Sequence, residues 1–321
     1  MSPSRGIITL GIDLGGTKVA TALVDETGCI LAHQYRLTHP ENGAENVIAD
    51  IVACARDCFV QGDESVQGIG IGVAGQVDRA GTVSFSPNLG WYNVPLKAKL
   101  EESLNMPVVI TNDVRAATFG EWRRGAGQGV SDLVCLFIGT GIGGGIVSGG
   151  QLLEGCRNSA GELGHLTIVK DGRRCRCPNR GCLEAYAGGW AIAERAQEAI
   201  RADPKAGRRL VSLAETIPQI SAATVSRASQ DGDSLSIRLM AETVQYLVAG
   251  IVSIANIFNP CLLVLGGSVT LGLTAYLAAI KSAVQETALP SAGKSLNIVT
   301  TALGDKAGVI GAASLVQEQF K

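Results

Sequence analysis

Glycine-rich turns between short hydrophobic strands are the feature that most restricts how this chain can fold. The first forty residues read as three successive strands, with a Gly15-Gly16-Thr17 turn after the first strand. The pattern returns after Asp132, where a hydrophobic strand runs into Gly139-Thr140-Gly141 and shorter strands follow. The sequence therefore predicts an internal duplication of a three-stranded meander.

Helical periodicity follows each of these meanders. Apolar residues recur at helical spacing at about 43–61, 113–123, 190–201 and 235–258. Strands followed by helices predict an α/β fold of two lobes with mixed sheets and a cleft between them. A glycine turn taken alone could be an ordinary hairpin. A pair of them, with the Thr17 and Thr140 hydroxyls, favours a phosphate as the shared ligand.

Two segments match the dinucleotide pattern G-x-G-x-x-G by letters alone. They begin at Gly70 and Gly139, and neither opens a helical pattern. The strand-to-helix context that gives that pattern its physical basis is missing, which argues against a nicotinamide enzyme. The chain also lacks a G-x-x-x-x-G-K-[ST] phosphate loop.

Charge and hydropathy restrict the partners. The formal net charge is -2, with 27 basic and 29 acidic residues, so no strong positive field favours nucleic acid. The segment before Asp13 has only a short apolar run, and the stretch from Tyr246 to Phe258 is interrupted by Asn256. We therefore expect a soluble cytoplasmic protein that contacts no membrane.

Cysteine spacing predicts both core residues and a metal site. Cys54 and Cys58 lie four residues apart on an apolar helical face. The other isolated cysteines lie in strand-like runs (Cys29, Cys135, Cys261) or in a loop (Cys156), and we expect core positions for all six. A different group reads His-x9-Cys-x-Cys-x4-Cys, and it consists of His165, Cys175, Cys177 and Cys182. Three thiolates and one imidazole form the ligand set of a closed structural zinc, although clustered core thiols are the alternative.

The pair Asn112-Asp113 precedes a helical pattern. One of these residues could simply cap the helix, since both types are favoured at that position. A carboxylate at this place could also act as a base. The spacing alone does not choose between the two.

Ordered motifs along the whole chain resemble the ROK family of sugar kinases (repressors, open reading frames and kinases), and most closely its bacterial glucokinases. The motifs are Asp13 to Lys18, Ser86 to Trp91, Asn112-Asp113, Gly139 to Gly144, Ala160 to His165, Cys175 to Glu184 and Leu265 to Ser268. The resemblance implies an actin-like, hexokinase-type ATPase fold of two ribonuclease-H-like lobes. We place the smaller lobe at 1–118 plus about 300–321 and the larger lobe at 119–299.

The resemblance also implies roles for individual residues. Asp113 would be the catalytic base that takes the proton of the attacking hydroxyl. Contacts to a hexose would come from Asn88, Asn112, Asp113, Glu162, His165 and Glu184. Asp13 would organise Mg²⁺, while Gly15, Gly16, Thr17, Thr140 and Gly141 bracket the ATP phosphates and Gly266 and Gly267 lie against adenosine. Lys18 could neutralise phosphate charge or simply lie on the strand edge.

The same resemblance implies ATP, Mg²⁺ and a structural Zn²⁺, with ATP expected as donor because polyphosphate-using relatives generally lack the His and Cys cluster. Relatives usually have glycine where this chain has Pro178, which removes an N–H that could bond a thiolate. A homodimer is expected. Glucose is the first substrate choice, ahead of N-acetylglucosamine, mannose, fructose and N-acetylmannosamine. We expect a kinase and not a DNA-binding repressor, because the first predicted strand begins at about Ile7 and leaves no room for a DNA-binding module before it. We also do not expect a sugar sensor without catalysis, because such a protein would not need Asp113.

Overall fold

The computed structural model describes residues 6–62 and 66–320 of the chain. The strands are β1 Thr9–Leu14, β2 Lys18–Val24, β3 Ile30–Leu37, β4 Ile69–Val73, β5 Gln76–Val77, β6 Val83–Ser86, β7 Trp91–Val94, β8 Val108–Asn112, β9 Leu133–Ile138, β10 Ile142–Ser148, β11 Gln151–Leu152, β12 Leu262–Gly266 and β13 Asn297–Thr300. The helices are α1 Ala44–Gly62, α2 Leu96–Leu104, α3 Asp113–Arg124, α4 Glu184–Ala187, α5 Gly189–Ala202, α6 Arg208–Ala214, α7 Ala222–Gln230, α8 Ser234–Phe258, α9 Ser268–Gly272, α10 Leu277–Thr287, α11 Pro290–Gly293 and α12 Ala307–Gln317.

The first large sheet has the strand order β3-β2-β1-β4-β8. β1 pairs antiparallel with β2, and β2 pairs antiparallel with β3, which is the predicted meander. β4 pairs parallel with β1 and with β8, so three strands end at the same edge of the sheet. All five residues of β4 are buried, as expected for a central parallel strand covered on both faces.

The second large sheet repeats this order as β11-β10-β9-β12-β13. Its first strand in the chain, β9, pairs parallel with β12, and β12 pairs parallel with β13. β10 and β11 form the antiparallel extension. The same topology occurs twice, so the predicted duplication is confirmed.

The chain divides into two compact units. Unit 1 comprises residues 1–131, 145–161 and 301–321, and unit 2 comprises residues 132–144 and 162–300. The lobe boundaries inferred from the sequence stay a prediction.

Helix α12, near the carboxyl terminus, covers the first sheet and packs on α3. The contact is close because glycines face it: a Cβ added at Gly11 would lie 1.9 Å from the Val309 carbonyl oxygen, and one added at Gly311 would lie 1.7 Å from that of Ala116. Sequence periodicity did not predict α12, because its face toward the protein is built from small residues. The small sheet β5-β6-β7 also was not predicted, because its strands have only two to four residues.

Helix α8 is the one helix within the described residues that is long and apolar enough to cross a membrane. It has 25 residues, longer than the apolar stretch from Tyr246. α8 packs against α4, α5, α7, α10 and α11, and its Thr243 and Ser236 are buried. Length and composition alone would permit a membrane span, and 39% of the most apolar window is buried within the protein.

The cysteines outside the metal cluster divide into two groups. Cys54 and Cys58 are fully buried under the first sheet, as predicted, and Cys135 is buried in β9. The prediction is wrong for Cys29, Cys156 and Cys261, which are exposed. Cys29 and Cys261 each precede a strand by one residue, where the chain is still entering the sheet, and Cys156 lies in a loop.

Candidate active site and metal cluster

The carboxyl edge of the first sheet gathers the predicted catalytic residues of unit 1. In the parallel register Leu14 of β1 lies beside Val73 of β4, which lies beside Asn112 of β8. Asp13 and the Asn112-Asp113 pair therefore reach the same edge of the sheet. Ligands of open α/β sheets bind outside such carboxyl ends.

Asn112 is the N-cap of α3 and also fixes the side chain of Asp113. Its Oδ1 accepts the backbone N–H of Arg115 at 3.1 Å, while its Nδ2 donates to Asp113 Oδ1 at 2.8 Å and to the Gly75 carbonyl at 3.2 Å. The Val114 amide donates to the same Asp113 oxygen at 2.9 Å. The capping alternative is therefore correct for Asn112. Both amide hydrogens of Asn112 are used, so an added hydroxyl would have to donate to Oδ1.

Asp13 lies in β1 where several groups act on its charge. Burial, followed by the negative charge of Asp113, raises the pKa of Asp13 to about 6, and Lys18 opposes the shift. The first turn of α12 packs against this carboxylate, since a Cβ added at Gly308 would lie 2.7 Å from Asp13 Oδ2. A buried carboxylate whose ionisation is opposed by the charge of a second carboxylate forms a place where a divalent cation would be stabilised.

The Gly15-Gly16-Thr17 turn joins β1 and β2 and abuts the Asn88 loop. The Gly15 amide donates to the Lys18 carbonyl at 3.0 Å, which closes the turn. A Cβ added at Gly16 would lie 2.9 Å from the Asn88 carbonyl oxygen, so only glycine permits this approach. Thr17, Lys18 and Asn88 are exposed. The structure thus brings one predicted phosphate turn and one predicted hexose contact together within unit 1.

In unit 2 the second glycine turn is docked on the start of α5. Gly139 and Thr140 accept the backbone amides of Gly189 and Trp190 at 2.9 and 3.0 Å, and the Gly139 amide donates to the Gly141 carbonyl at 2.9 Å. Thr140 is exposed. The backbone bonds therefore fix the turn on its inner side and leave its outer side accessible.

Gly266 and Gly267 lie beside that turn at the carboxyl edge of the second sheet. Gly266 is paired with Phe137, one residue from the end of β9. Gly267 has φ +88°, and a Cβ added there would lie 2.4 Å from the Ile138 carbonyl oxygen. A residue with a side chain would be strained in conformation and would clash. The two glycines leave a flat backbone surface next to the turn.

Glu184 and Glu162, both predicted hexose contacts, differ in their surroundings. Glu184 begins α4, and its carboxylate accepts the Ile142 amide at 2.8 Å and the Trp190 indole N–H at 3.1 Å. Glu184 is therefore tied to the strand that follows the second glycine turn, which the sequence did not indicate. Glu162 is exposed and precedes the short 3₁₀ helix Leu163–His165.

Four side chains in unit 2 form a cluster that fits a metal ion. The candidate ligand atoms of His165, Cys175, Cys177 and Cys182 all lie within 4.8 Å of one another. Cys175 Sγ is 3.7 Å from His165 Nδ1, and Cys177 Sγ is 3.6 Å from Cys182 Sγ. A tetrahedral zinc with Zn–S bonds of about 2.3 Å places its ligands about 3.7 Å apart, so the donor set and its spacing fit zinc.

The local fold of this cluster is a narrow double-stranded loop. Arg174 and Arg180 form an antiparallel bridge, and the Cys175 amide donates to the Asn179 carbonyl at 3.1 Å. Gly181, at φ +78°, allows the chain to turn against Val169. Burial raises the pKa of the Cys182 and Cys175 thiols, so zinc binding would release protons there. Pro178 is exposed, and its effect on metal affinity stays a prediction.

Several residues that shape the site were not found from the sequence. They are Gly75, Trp190 and Gly308, each of which acts through a backbone atom, an indole N–H or the absence of a side chain. Such roles depend on neighbours far away in the sequence. The glycine pattern from Gly70 to Gly75 is a signal for this corner in the sequence, but by its letters it resembles a dinucleotide motif.

Comparisons with known proteins agree with this geometry. The glucokinase of Streptomyces coelicolor is 35% identical over 316 residues, covering 97% of this chain and 98% of that protein. The crystal structure of a ROK family glucokinase from Streptomyces griseus in complex with glucose and AMPPNP superposes with a TM-score of 0.84, at 36% identity and covering 97% and 99% of the two chains. The xylose repressor of Bacillus spizizenii is 30% identical over 316 residues, covering 97% of this chain and 77% of the repressor.

The fold is the actin-like ATPase fold of the ROK hexokinases, as the sequence predicted. The model of the ROK family matches residues 9–319, and the chain belongs to this family. The similarity to glucokinases extends over nearly the whole chain, which supports a sugar kinase within the family.

Proposed function

We propose that this protein transfers the terminal phosphoryl group of ATP to a hexose, with glucose as the preferred acceptor. The observation that carries the proposal is the Asn112-Asp113 corner at the carboxyl edge of the first sheet, where Asp113 is held by two donors and its charge acts on Asp13. Support for glucose comes from the glucokinases that resemble the chain, one of which is described in complex with glucose and AMPPNP.

In the proposed mechanism the hydroxyl oxygen of the hexose attacks the γ-phosphorus of ATP, and Asp113 accepts the proton of that hydroxyl. The bond between the γ-phosphorus and the oxygen that bridges it to the β-phosphate breaks, and ADP leaves. Phosphoryl transfer depends chiefly on alignment and on stabilisation of charge. The hydrogen bonds from Asn112 and Val114 hold the Asp113 carboxylate in one orientation. Asp13 would hold Mg²⁺, which supplies charge neutralisation at the phosphates when bound.

The remaining predicted contacts divide between the units. The amides of both glycine turns would face the phosphates, and Gly266 with Gly267 would lie against adenosine. Asn88, Asn112, Glu162, His165 and Glu184 would bond the hexose hydroxyls. His165 Nδ1 faces Cys175, which leaves Nε2 as the ring nitrogen for the sugar. A site of this kind rejects hexoses that lack a bonded hydroxyl.

The test is ADP release by zinc-replete protein with Mg-ATP across hexoses and N-acetylhexosamines. We expect selective turnover of glucose, and Asp113→Asn should lower kcat by about 10²–10⁴-fold, because a general base contributes about that much. Asp78→Asn is the matched control, since Asp78 also accepts backbone amides in unit 1 but lies in a turn, and it should retain activity.

Two other results would change the proposed substrate or the proposed activity. Turnover of an N-acetylhexosamine, mannose or fructose instead of glucose would keep the mechanism and change the substrate. Absence of turnover with retained sugar binding would favour a sensor or regulator, the class to which the xylose repressor belongs.

Homodimerisation, a cytoplasmic location and the absence of nucleic-acid or membrane partners stay predictions. Light scattering of the purified protein measures the first directly, with a mass twice 33.2 kDa expected.

A further inference from the structure

Arg115 lies two residues after the proposed base and is buried inside unit 1. Its side chain is 3% exposed, although it occupies the first turn of α3. The amino end of a helix carries partial positive charge, so a cation is disfavoured there unless other groups compensate. Hydrogen bonds from a guanidinium to carbonyl oxygens are strong enough to offset that cost.

The guanidinium bonds to one short segment. Its Nη1 donates to Asn158 Oδ1, and its Nη2 donates to the Asn158 carbonyl at 2.8 Å and to the Ala160 carbonyl at 3.4 Å. Asn158 is itself buried and has φ +57°, a conformation that asparagine tolerates better than most residues. Gly161 and Glu162 follow this segment in the chain.

These bonds close a ring that includes the proposed catalytic corner. Asn158 Nδ2 donates to the Val77 carbonyl at 3.1 Å. Two residues before Val77, the Gly75 carbonyl accepts from Asn112, whose Oδ1 in turn accepts the Arg115 amide. Arg115 thus contacts the corner twice, through its own backbone and through Asn158.

We propose that Arg115 is a positioning residue for the base: together with Asn158 it fixes the orientation of Asn112, and thereby of Asp113, toward the hexose hydroxyls. The inference rests on the proposed function. Misplacement of a reacting group by about 1 Å can cost about a hundredfold in rate. Loss of the ring therefore lowers kcat and weakens discrimination among hexose hydroxyls, and it leaves the KM for Mg-ATP unchanged.

The first experiment compares Arg115→Met with Arg124→Met. Arg124 lies on the same helix and donates to Gln317, so its replacement is a matched loss of an arginine that does not touch the corner. We expect Arg115→Met to lower kcat per sugar-binding site by about tenfold to a hundredfold. We also expect it to narrow the preference for glucose over 2-deoxyglucose and mannose. Arg124→Met should change neither value.

The second experiment is a double-mutant cycle with Asn158→Gly. Glycine adopts the φ of Asn158 without strain, so this variant removes the bridge while the backbone stays compatible. It should reproduce the defect of Arg115→Met, and the double variant should be no worse than either single variant, because all three break the same ring. The kcat of Arg115→Lys should lie between those of the wild type and Arg115→Met, since one ammonium group cannot replace the planar guanidinium with its several donors.

Hydrogen exchange measures the ring without reference to turnover. In Arg115→Met the amides of 112–115 and of 158–160 should exchange faster together, whereas Arg124→Met should leave both segments protected. Unchanged exchange, additive single effects, or equal losses in the two arginine variants would overturn the inference. If the wild-type protein phosphorylates no hexose, the proposed function fails while the exchange result still decides whether the ring exists.

Discussion

The two large sheets have the same strand order but carry opposite chemistry at their carboxyl edges. The first sheet presents two carboxylates, Asp13 and Asp113, and Asp113 accepts a side-chain hydrogen bond from Asn112. The second presents glycine backbone at Gly139 to Gly141, where Gly139 and Thr140 accept backbone bonds from the start of α5, and at Gly266-Gly267. A duplicated topology thus supplies two similar edges, and the residues at the strand ends make one edge acidic and leave the other lined by glycine backbone.

The metal cluster sharpens this comparison, because it belongs to the second unit alone. Cys182→Ser should abolish binding of one equivalent of zinc and lower the thermal midpoint, since a closed tetrahedral ion contributes folding free energy. Metal analysis and thermal denaturation measure both effects. Cys261→Ser serves as control, because Cys261 is exposed and outside the cluster. Full zinc content in Cys182→Ser would remove this cysteine from the ligand set.

The backbone edge of the second sheet should be sensitive to a single methyl group. Gly267→Ala places a Cβ 2.4 Å from the Ile138 carbonyl at φ +88°, and we expect it to raise the KM for ATP about tenfold or more, since the turn must shift. Gly232→Ala is matched in conformation, with φ +86°, but has open space around it. It should cost about 1 kcal/mol of stability and leave the KM unchanged. Equal effects of the two variants would contradict an adenosine surface at Gly267.

At the carboxylate edge of the first sheet, the contribution of Asp13 to stability should decrease as pH rises, whereas a carboxylate with a lowered pKa contributes more as pH rises. The pKa of Asp13 is raised to about 6, so between about pH 4 and 6 the folded state keeps a proton that the unfolded state releases. This contribution to stability is lost as pH rises through that window. In metal-free protein Asp13→Asn should therefore stabilise the fold at pH 7.5 by up to about 3 kcal/mol, and not at pH 4.

Asp25 provides the control of opposite sign. Burial raises its pKa, but hydrogen bonds from Thr27, Cys29 and Gly28 outweigh burial and lower the pKa overall. Its contribution to stability is present above its unfolded pKa and is lost as pH falls, so Asp25→Asn should destabilise the protein at pH 7.5. Denaturant unfolding at the two pH values measures both variants. If Asp13→Asn is less stable than the wild type at pH 7.5, the surroundings of Asp13 do not disfavour its ionised form, and its pKa is not raised.

Local sequence patterns predicted the parts of the fold that repeat or that alternate strongly. Spacing predicted the meander of β1 to β3, the amphipathic helix α1 with Cys54 and Cys58, and the clustering of the four candidate metal ligands. These features depend on residues close together in the chain, where periodicity is informative.

The features that escaped prediction are built from distant segments. Helix α12 meets α3 and the first sheet through small residues, which carry no strong hydrophobic period. Arg115 could be given no role from sequence, because its partner Asn158 lies 43 residues away. The attachment of Glu184 to Trp190 and Ile142 likewise required the fold.

The most direct test of the account is to follow product formation by phosphorus NMR with Mg-ATP, glucose and zinc-replete protein, for wild type and Asp113→Asn. The account predicts that the wild type forms glucose 6-phosphate and ADP, while Asp113→Asn binds glucose in calorimetry but forms the product at least a hundredfold more slowly. Formation of the product at the wild-type rate by Asp113→Asn would contradict the assignment of the base. Absence of any sugar phosphate from the wild type with every hexose tested would contradict the kinase itself.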